Sequence, residues 1–417
     1  MALNCVFQRS LHLSGDLRKP FDLAQAGKSI CDDGRSGPGL SGVELLQIGP
    51  GFRMMWQAAK QGKMWRIAMQ ALVWTAPETM EMQEQPDPTP VADEVVIRVA
   101  YAGICGSELS GFLGHNALRT PPLVMGHEFA GEIVEVGRDV TGFEVGDAVT
   151  VNPLTYCGQC RTCRMGLTQL CPERVLVGAH RPGAFAEYVS IPAFVTHKLP
   201  EGMSLRSGAL TEPVGVGVRI GRLAGDVAGA SALIIGAGPI GLLALQALQL
   251  AGADRIFIAD LDPERLAMGG ELGGITISPP GAGTGGGDGG ADVVETVKEA
   301  TSGEGVAVSV DAVGTGGTRT QCVDATRNAG ILILSGLHEE TSPMPAAAII
   351  RQELTVRGSF AYGAADFADG LRELHAGHYR LDPWIVEAPL ATGGDWFHRL
   401  IKSPGNVSKV LLVPDRR

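Results

Sequence analysis

The chain has no basic surplus. Its 45 Asp and Glu against 34 Lys and Arg leave a formal charge of −11. That argues against nucleic acid or an anionic membrane surface as partner, because both reward a basic face. An export signature is missing too: no positively charged stretch followed by an apolar core and a small-residue cleavage site opens the chain, so the expected compartment is the cytoplasm. Cysteine is scarce, eight in 417 residues, and a disulfide framework of the kind that staples short secreted domains is not expected. No internal repeat is visible. The longest uncharged apolar run, "VAGASALIIGAGPIGLLALQALQLAGA" from 227 to 253, is long enough to span a bilayer. Glycine and proline punctuate it, however, in a pattern with another explanation. With 45% hydrophobic residues over this length, two domains that each bury a core are the expectation.

What cysteine there is falls together. "CGQCRTCRMGLTQLC" places Cys157, Cys160, Cys163 and Cys171 within fifteen positions. In a reducing compartment such spacing suits a metal: a short loop can fold four thiolates around one tetrahedral Zn²⁺ at about 2.3 Å each. An iron–sulfur cluster is the rival, since Pro172 follows the last cysteine as it does in the bacterial ferredoxin run. The spacing alone leaves both open.

Along the chain the texture changes twice. Residues 1–68 hold nine Lys and Arg against five Asp and Glu and show no sustained apolar period, so they are expected to form a disordered extension. From "AMQALVW" to about residue 200, segments such as "DEVVIRVAYAGIC" and "FAGEIVEVG" read as short strands and loops. Near residue 205 strand and helix begin to alternate ("ALIIGAG", "PIGLLALQALQLAG", "RIFIAD", "PERLAMGGELG"), which predicts a parallel α/β sheet. A glycine-rich stretch at 278–292 is expected to be a flexible surface insertion.

Two sets of residues point to chemistry. "GAGPIG" follows an apolar strand and opens a helix. Gly236 can make the tight turn, Gly238 admits a pyrophosphate to the backbone, and Gly241 lets helix pack on strand. The helix N-terminus offers free N–H groups to phosphates. Asp260, 19 residues after Gly241, is placed to accept from both ribose hydroxyls and to repel a 2′-phosphate, so NAD is expected over NADP. Upstream, "GICGSE" and "MGHEFAGEIVEVG" supply a cysteine, a histidine and carboxylates, the mix found around catalytic zinc. On residue type alone, Cys105 could equally be a core thiol and His127-Glu128 a surface pair.

Taken in order, Cys105-Gly-Ser107, Gly126-His127-Glu128, the four-cysteine segment, "TEP" at 211–213, the dinucleotide fingerprint and "RQELTVRGS" make the chain from 69 to 417 resemble the zinc-dependent medium-chain alcohol dehydrogenases. Within them it resembles the sorbitol, polyol and threonine dehydrogenase branch. The resemblance implies an α/β architecture: a GroES-like β-rich catalytic domain (69–219 and 360–417, with a structural zinc lobe at 157–171) and a Rossmann NAD-binding domain (220–359). It implies a catalytic zinc on Cys105, His127 and Glu128, with Glu212 ligating the metal or holding its water, and a structural zinc on the four clustered cysteines. Ser107 matches the hydroxyl that takes the substrate proton, and Glu108 a carboxylate that orients the histidine. Ile240, Asp260 and Arg265 match cofactor contacts, while Val313, Gly314, Gly336 and Leu337 match loops around the nicotinamide. The family also implies a small-molecule alcohol or ketone as substrate and a homodimer or homotetramer.

Two departures stand out. Where relatives commonly carry a histidine in the proton relay, this chain has Ser110, and His115 nearby is no evident substitute. Glu212-Pro213 tilts the reading towards polyols or diols, whereas "HRPGAFAEYVSIPAF" resembles the threonine enzymes as much. The expectation is therefore oxidation of a secondary alcohol. A threonine 3-dehydrogenase, a sugar-alcohol-phosphate dehydrogenase and a non-catalytic zinc- and nucleotide-binding protein stand as alternatives.

Overall fold

The computed structural model of the protein describes residues 68–281, 290–382 and 384–415. The segment before Ala68, expected to be disordered, and residues 282–289 of the expected glycine-rich insertion lie outside the described residues.

Alternating and continuous apolar runs make the first half a set of strands. Strand β1 (Ala68–Ala76) buries Leu72, Val73 and Trp74 and pairs antiparallel with the polar β2 (Thr79–Pro86). Next, β3 (Glu94–Gly103) leads into a short helix, α1 (Gly106–Phe112), and β4 (Leu123–Val124) then returns to pair with β1. A mixed sheet follows from β5 (Glu128–Val136) and β6 (Ala148–Val151). The hairpin of β7 (Leu154–Thr155) and β8 (Val175–Leu176) brackets the clustered cysteines, and β9 (Tyr188–Pro192) and β10 (Thr196–Lys198) complete this stretch. Helix α2 (Thr211–Ala224) leads out of it.

The second half alternates strand and helix. The strands are β11 (Ser231–Ile235), β12 (Arg255–Ala259), β13 (Ile275–Ile277), β14 (Val306–Asp311), β15 (Thr326–Leu334) and β16 (Thr355–Gly358). All pair in parallel, in the order β13-β12-β11-β14-β15-β16. That order reverses direction between β11 and β14, the crevice in which doubly wound sheets bind dinucleotides. The long apolar run is thus split: β11 ends at Ile235 and helix α3 (Pro239–Leu250) begins after the glycine turn. Among the described residues no helix is long and apolar enough to cross a membrane. Sheet strands buried on both faces account for the run, since helices cover each side.

After helix α4 (Ala364–His375), the parallel pair β17 (Ile385–Pro389) and β18 (Lys409–Val413) re-enters the first sheet. Its full order is β10-β6-β5-β3-β18-β17, with β9 on the first half of β3 and β18 on its last residues. One core accordingly joins Met69 through Val195 to Ala388 through Leu412, while separate cores lie against the parallel sheet. The return of β18 to β3 matters for function, because it carries a residue from the far end of the chain to the loop after β3.

Candidate active site

Cys105 ends the β3 segment as the N-cap of α1, in extended backbone conformation. Three residues on, Glu108 turns back under the helix and is fully buried. Its Oε2 accepts from the Cys105 N–H at 3.0 Å, and its Oε1 accepts from the Gly126 N–H at 2.8 Å and lies 2.7 Å from His127 Nδ1. Burial would raise the Glu108 carboxyl, but His127 and Arg119 hold it below the usual range. A donated Nδ1–H leaves His127 Nε2 free to ligate, the arrangement by which an outer carboxylate fixes a ligating imidazole. Gly126 turns the chain at φ +101°, where a Cβ would sit 2.6 Å from the Phe185 nitrogen, and this sharp turn aims His127 inward. Gly103 does the same service for Glu128, since a Cβ there would lie 2.3 Å from Glu128 Oε2.

The ligand atoms of Cys105, His127 and Glu128 all lie within 4.8 Å of one another. That grouping does not include Glu212, which projects from α2 and accepts a 2.7 Å hydrogen bond from the Tyr362 hydroxyl at Oε1. Burial pushes the Glu212 carboxyl up to about 7; His127 pulls it down and neighbouring Glu128 adds to the rise. For His127, burial works against the charged form, yet Glu108 and Cys105 hold it well above the ordinary imidazole range.

Sequence reasoning missed three side chains here. Lys409, at the start of β18 and 4% exposed, sets its ammonium 2.8 Å from Glu128 Oε1 and 2.7 Å from Oε2, and donates to the Ile104 carbonyl at 3.1 Å. The ammonium thus straddles the carboxylate, hydrogen-bonded to Oε1 and ion-paired with Oε2. Burial would depress this ammonium, but Glu128 and Cys105 hold it above its ordinary value. Tyr362, wholly buried, and Arg119, 4% exposed, are the others. No local motif announces any of them.

These residues fit a divalent cation. The donor set of thiol, imidazole and carboxylate, with its ligand atoms within 4.8 Å of one another, is zinc's.

Of the relay residues, Ser107 is exposed at the site with its Oγ 3.6 Å from Cys105 Sγ. Ser110 and His115 share a backbone bond, His115 N–H to Ser110 carbonyl at 3.0 Å. No side-chain hydrogen bond joins either to Ser107 among the described residues.

The sulfurs of Cys157, Cys160, Cys163 and Cys171 also lie within 4.8 Å of one another. Cys157–Cys171 and Cys160–Cys171 separations are 3.6 and 3.9 Å, far beyond a disulfide's ~2.05 Å. They bracket the edge of about 3.8 Å of a tetrahedron with zinc–sulfur bonds of ~2.3 Å. Backbone N–H groups of Cys160 and Cys157 point at the sulfurs of Cys157 and Cys171, each at 3.4 Å. Thr162 and the Cys163 backbone bring Cys160 down to about 6, while burial and the neighbouring thiols push Cys163 up to about 12.

The expected cofactor residues gather at the C-terminal ends of the parallel strands. Gly236 turns at φ +101° beside Val313, and Gly238 caps α3 with Pro239 at its first position. A Cβ at Gly241 would lie 1.7 Å from the Gly236 carbonyl oxygen, so only glycine fits there. Asp260 follows β12; its Oδ2 accepts from Ala237 N–H at 2.6 Å and its Oδ1 from Asp262 N–H at 2.8 Å. Arg265 lies one turn into the next helix, its backbone N–H on Asp262 Oδ1 at 3.3 Å. Gly314 and Gly336 touch where the loops after β14 and β15 meet, and Leu337 is 82% exposed. Ile240, the second residue of α3, is half-buried and packs in part against the core beneath the sheet.

Comparison with known proteins bears on the family and the fold. Residues 91–201 match the alcohol dehydrogenase GroES-like domain and residues 239–376 the zinc-binding dehydrogenase family. A sorbitol dehydrogenase of Halalkalibacterium halodurans is 34% identical, across 83% of this chain and 99% of its own length. The 2-dehydro-3-deoxy-L-galactonate 5-dehydrogenase of Pseudoalteromonas atlantica is 31% identical over 76% of this chain and 90% of its own. The crystal structure of 2R,3R-butanediol dehydrogenase from Bacillus subtilis superposes with a TM-score of 0.75 at 31% identity, covering 83% of this chain and all of that one.

Proposed function

The chain belongs to the zinc-dependent medium-chain dehydrogenases, in their polyol-dehydrogenase-like branch, and from that premise we propose that it oxidises a polyol, diol or related secondary alcohol to a ketone with NAD. The observation that carries this reading is the cluster of half-buried Cys105 with buried His127 and Glu128, whose sulfur, imidazole and carboxylate atoms lie within 4.8 Å of one another. Cys105 Sγ, His127 Nε2 and Glu128 or Glu212 would hold zinc there, and Cys157, Cys160, Cys163 and Cys171 a second, structural ion. Bound at the first site, zinc supplies the Lewis acidity that lets an alcohol release its proton near neutral pH, and the nicotinamide supplies the hydride acceptor.

The chain's own residues do the rest. Ser107 accepts the alcohol proton on Oγ and passes its own outward to solvent. Glu108 fixes the His127 ring, and Tyr362 fixes the Glu212 carboxyl by donating to Oε1. We assign residues 69–219 with 360–417 to the catalytic domain and 220–359 to the cofactor domain, so that hydride transfer takes place in the cleft between them. Turnover of a secondary-alcohol panel tests the reading: sorbitol, xylitol and 2,3-butanediol should reduce NAD in a zinc-dependent manner. Threonine and galactitol 1-phosphate separate the threonine and sugar-alcohol-phosphate alternatives. Absence of NADH formation with every member would sink the proposal.

NAD in preference to NADP rests on Asp260. Its carboxylate stands at the mouth of the glycine turn, held by the Ala237 N–H, where it repels a 2′-phosphate. Asp260→Ser should raise the NADP-to-NAD ratio of kcat/KM at least tenfold, about 1.4 kcal/mol of differential binding. An unchanged ratio would place ribose recognition elsewhere.

A further inference from the structure

Arg119, in the loop between α1 and β4, is a buried cation that the mechanism above does not use. It is 4% exposed, and no carboxylate lies within ion-pair distance of it among the described residues. Its stem crosses α1 at Gly111, where a Cβ would come within 2.7 Å of Arg119 Cδ, so the path exists only because that position is glycine. The guanidinium then places two of its three hydrogen bonds on one residue, Ser107. Nη1 donates to the Ser107 carbonyl at 3.1 Å, Nη2 to the Ser107 hydroxyl oxygen at 3.3 Å, and Nε to the Gly178 carbonyl at 3.2 Å.

Burying a guanidinium without a contact ion pair is costly unless its field is used; part of that field falls on the Glu108 carboxylate, and its hydrogen bonds fall chiefly on Ser107. Ser107 Oγ has one proton and two lone pairs. With Nη2 on one lone pair and the proton turned to Cys105 Sγ at 3.6 Å, one lone pair is open, and the proton reaches a substrate oxygen by leaving that weak sulfur contact. Donation from a permanent cation also polarises the O–H, which makes Ser107 a stronger donor to an anion than an unassisted serine. No histidine is joined to this hydroxyl, and a guanidinium cannot accept a proton. We propose that Arg119 is a positioning residue that acts through Ser107: it fixes the hydroxyl and stabilises the negative charge on the substrate oxygen once its proton has left. This rests on the alcohol-oxidation reading, and it replaces the titrating relay of relatives with a fixed charge.

The test compares ligands that differ in charge, on the zinc-loaded full chain. Trifluoroethanol, an acidic alcohol that cannot readily be oxidised, is titrated with NAD bound and reports on the anion. Isobutyramide, titrated with NADH bound, reports on a neutral carbonyl. Arg119→Met should weaken trifluoroethanol at least tenfold and isobutyramide less than twofold, with zinc content unchanged. Arg119→Lys keeps the buried charge if the Met variant does not fold; having lost the fork, it should weaken trifluoroethanol severalfold with the same selectivity. In a Ser107→Ala background either substitution should have no further effect on trifluoroethanol. Equal weakening of both ligands, an unchanged trifluoroethanol affinity, or an effect that persists without the Ser107 hydroxyl each overturns the proposal. A wild-type protein that binds neither ligand and oxidises no alcohol overturns the dehydrogenase reading itself.

Discussion

Cys105→Ser should yield a folded, cofactor-binding protein with turnover reduced by more than about 100-fold, whereas Cys160→Ser should yield an unstable one. The first expectation follows from the site's construction. Loss of an outer-sphere partner already costs about 10–100-fold in metal affinity or activity, and Cys105 is a proposed ligand. Its fold, though, is held by strand pairing and by the core that runs beneath it. The cysteine lobe has no such support: of its four sulfurs only Cys171 is buried, and the short helix and turn between them contribute little to the core. A closed thiolate site there supplies folding energy directly. A loss of even about 3 kcal/mol would lower Tm by roughly 6–12 °C for a domain of about 150–250 residues. Metal analysis, melting curves and NADH binding on the two variants separate the cases. Equal destabilisation in both, with activity retained, would contradict the assignment of the two sites.

Stripped of metal, the protein should lose stability as pH rises from about 5 to 8, and zinc should restore it with release of protons. The cause is the pair of raised groups in the site. The Glu212 carboxyl is pushed up to about 7 by burial, and His127 is held well above its ordinary value, chiefly by Glu108 against the effect of burial. Both bind protons in the folded state that the unfolded chain has already released. Their contribution is therefore fully present below the unfolded pKa values and disappears as pH passes through the folded ones. For Glu212 the rise from 4.5 to about 7 corresponds to about 3 kcal/mol as an upper bound. Melting curves of chelator-treated protein across this window check the slope, and Glu212→Gln should flatten it. A metal-free protein whose Glu212→Gln variant keeps the same pH slope as wild type would rule out this carboxyl as the source.

What the sequence determined by itself was everything written in short-range spacing. Four cysteines within fifteen residues suit one metal centre, a glycine motif between an apolar strand and a helix suits a dinucleotide, and strand and helix periods show in the run of apolar residues. The cysteine cluster, the parallel sheet and the position of Asp260 were legible for that reason, whereas the site of Cys105, His127 and Glu128 and the place of Glu108 beside it were implied by the order of motifs shared with a known family. What only the tertiary structure decided was the charge around those ligands. Lys409 reaches Glu128 across 281 positions because β18 pairs with the end of β3, and Tyr362 reaches Glu212 across 150. Arg119 reaches Ser107 because a glycine in α1 leaves it room. Counter-charges of this kind carry no local pattern, since a buried ion needs only a partner within a few ångströms, and nothing in the spacing of a chain says which distant residue the fold will bring there.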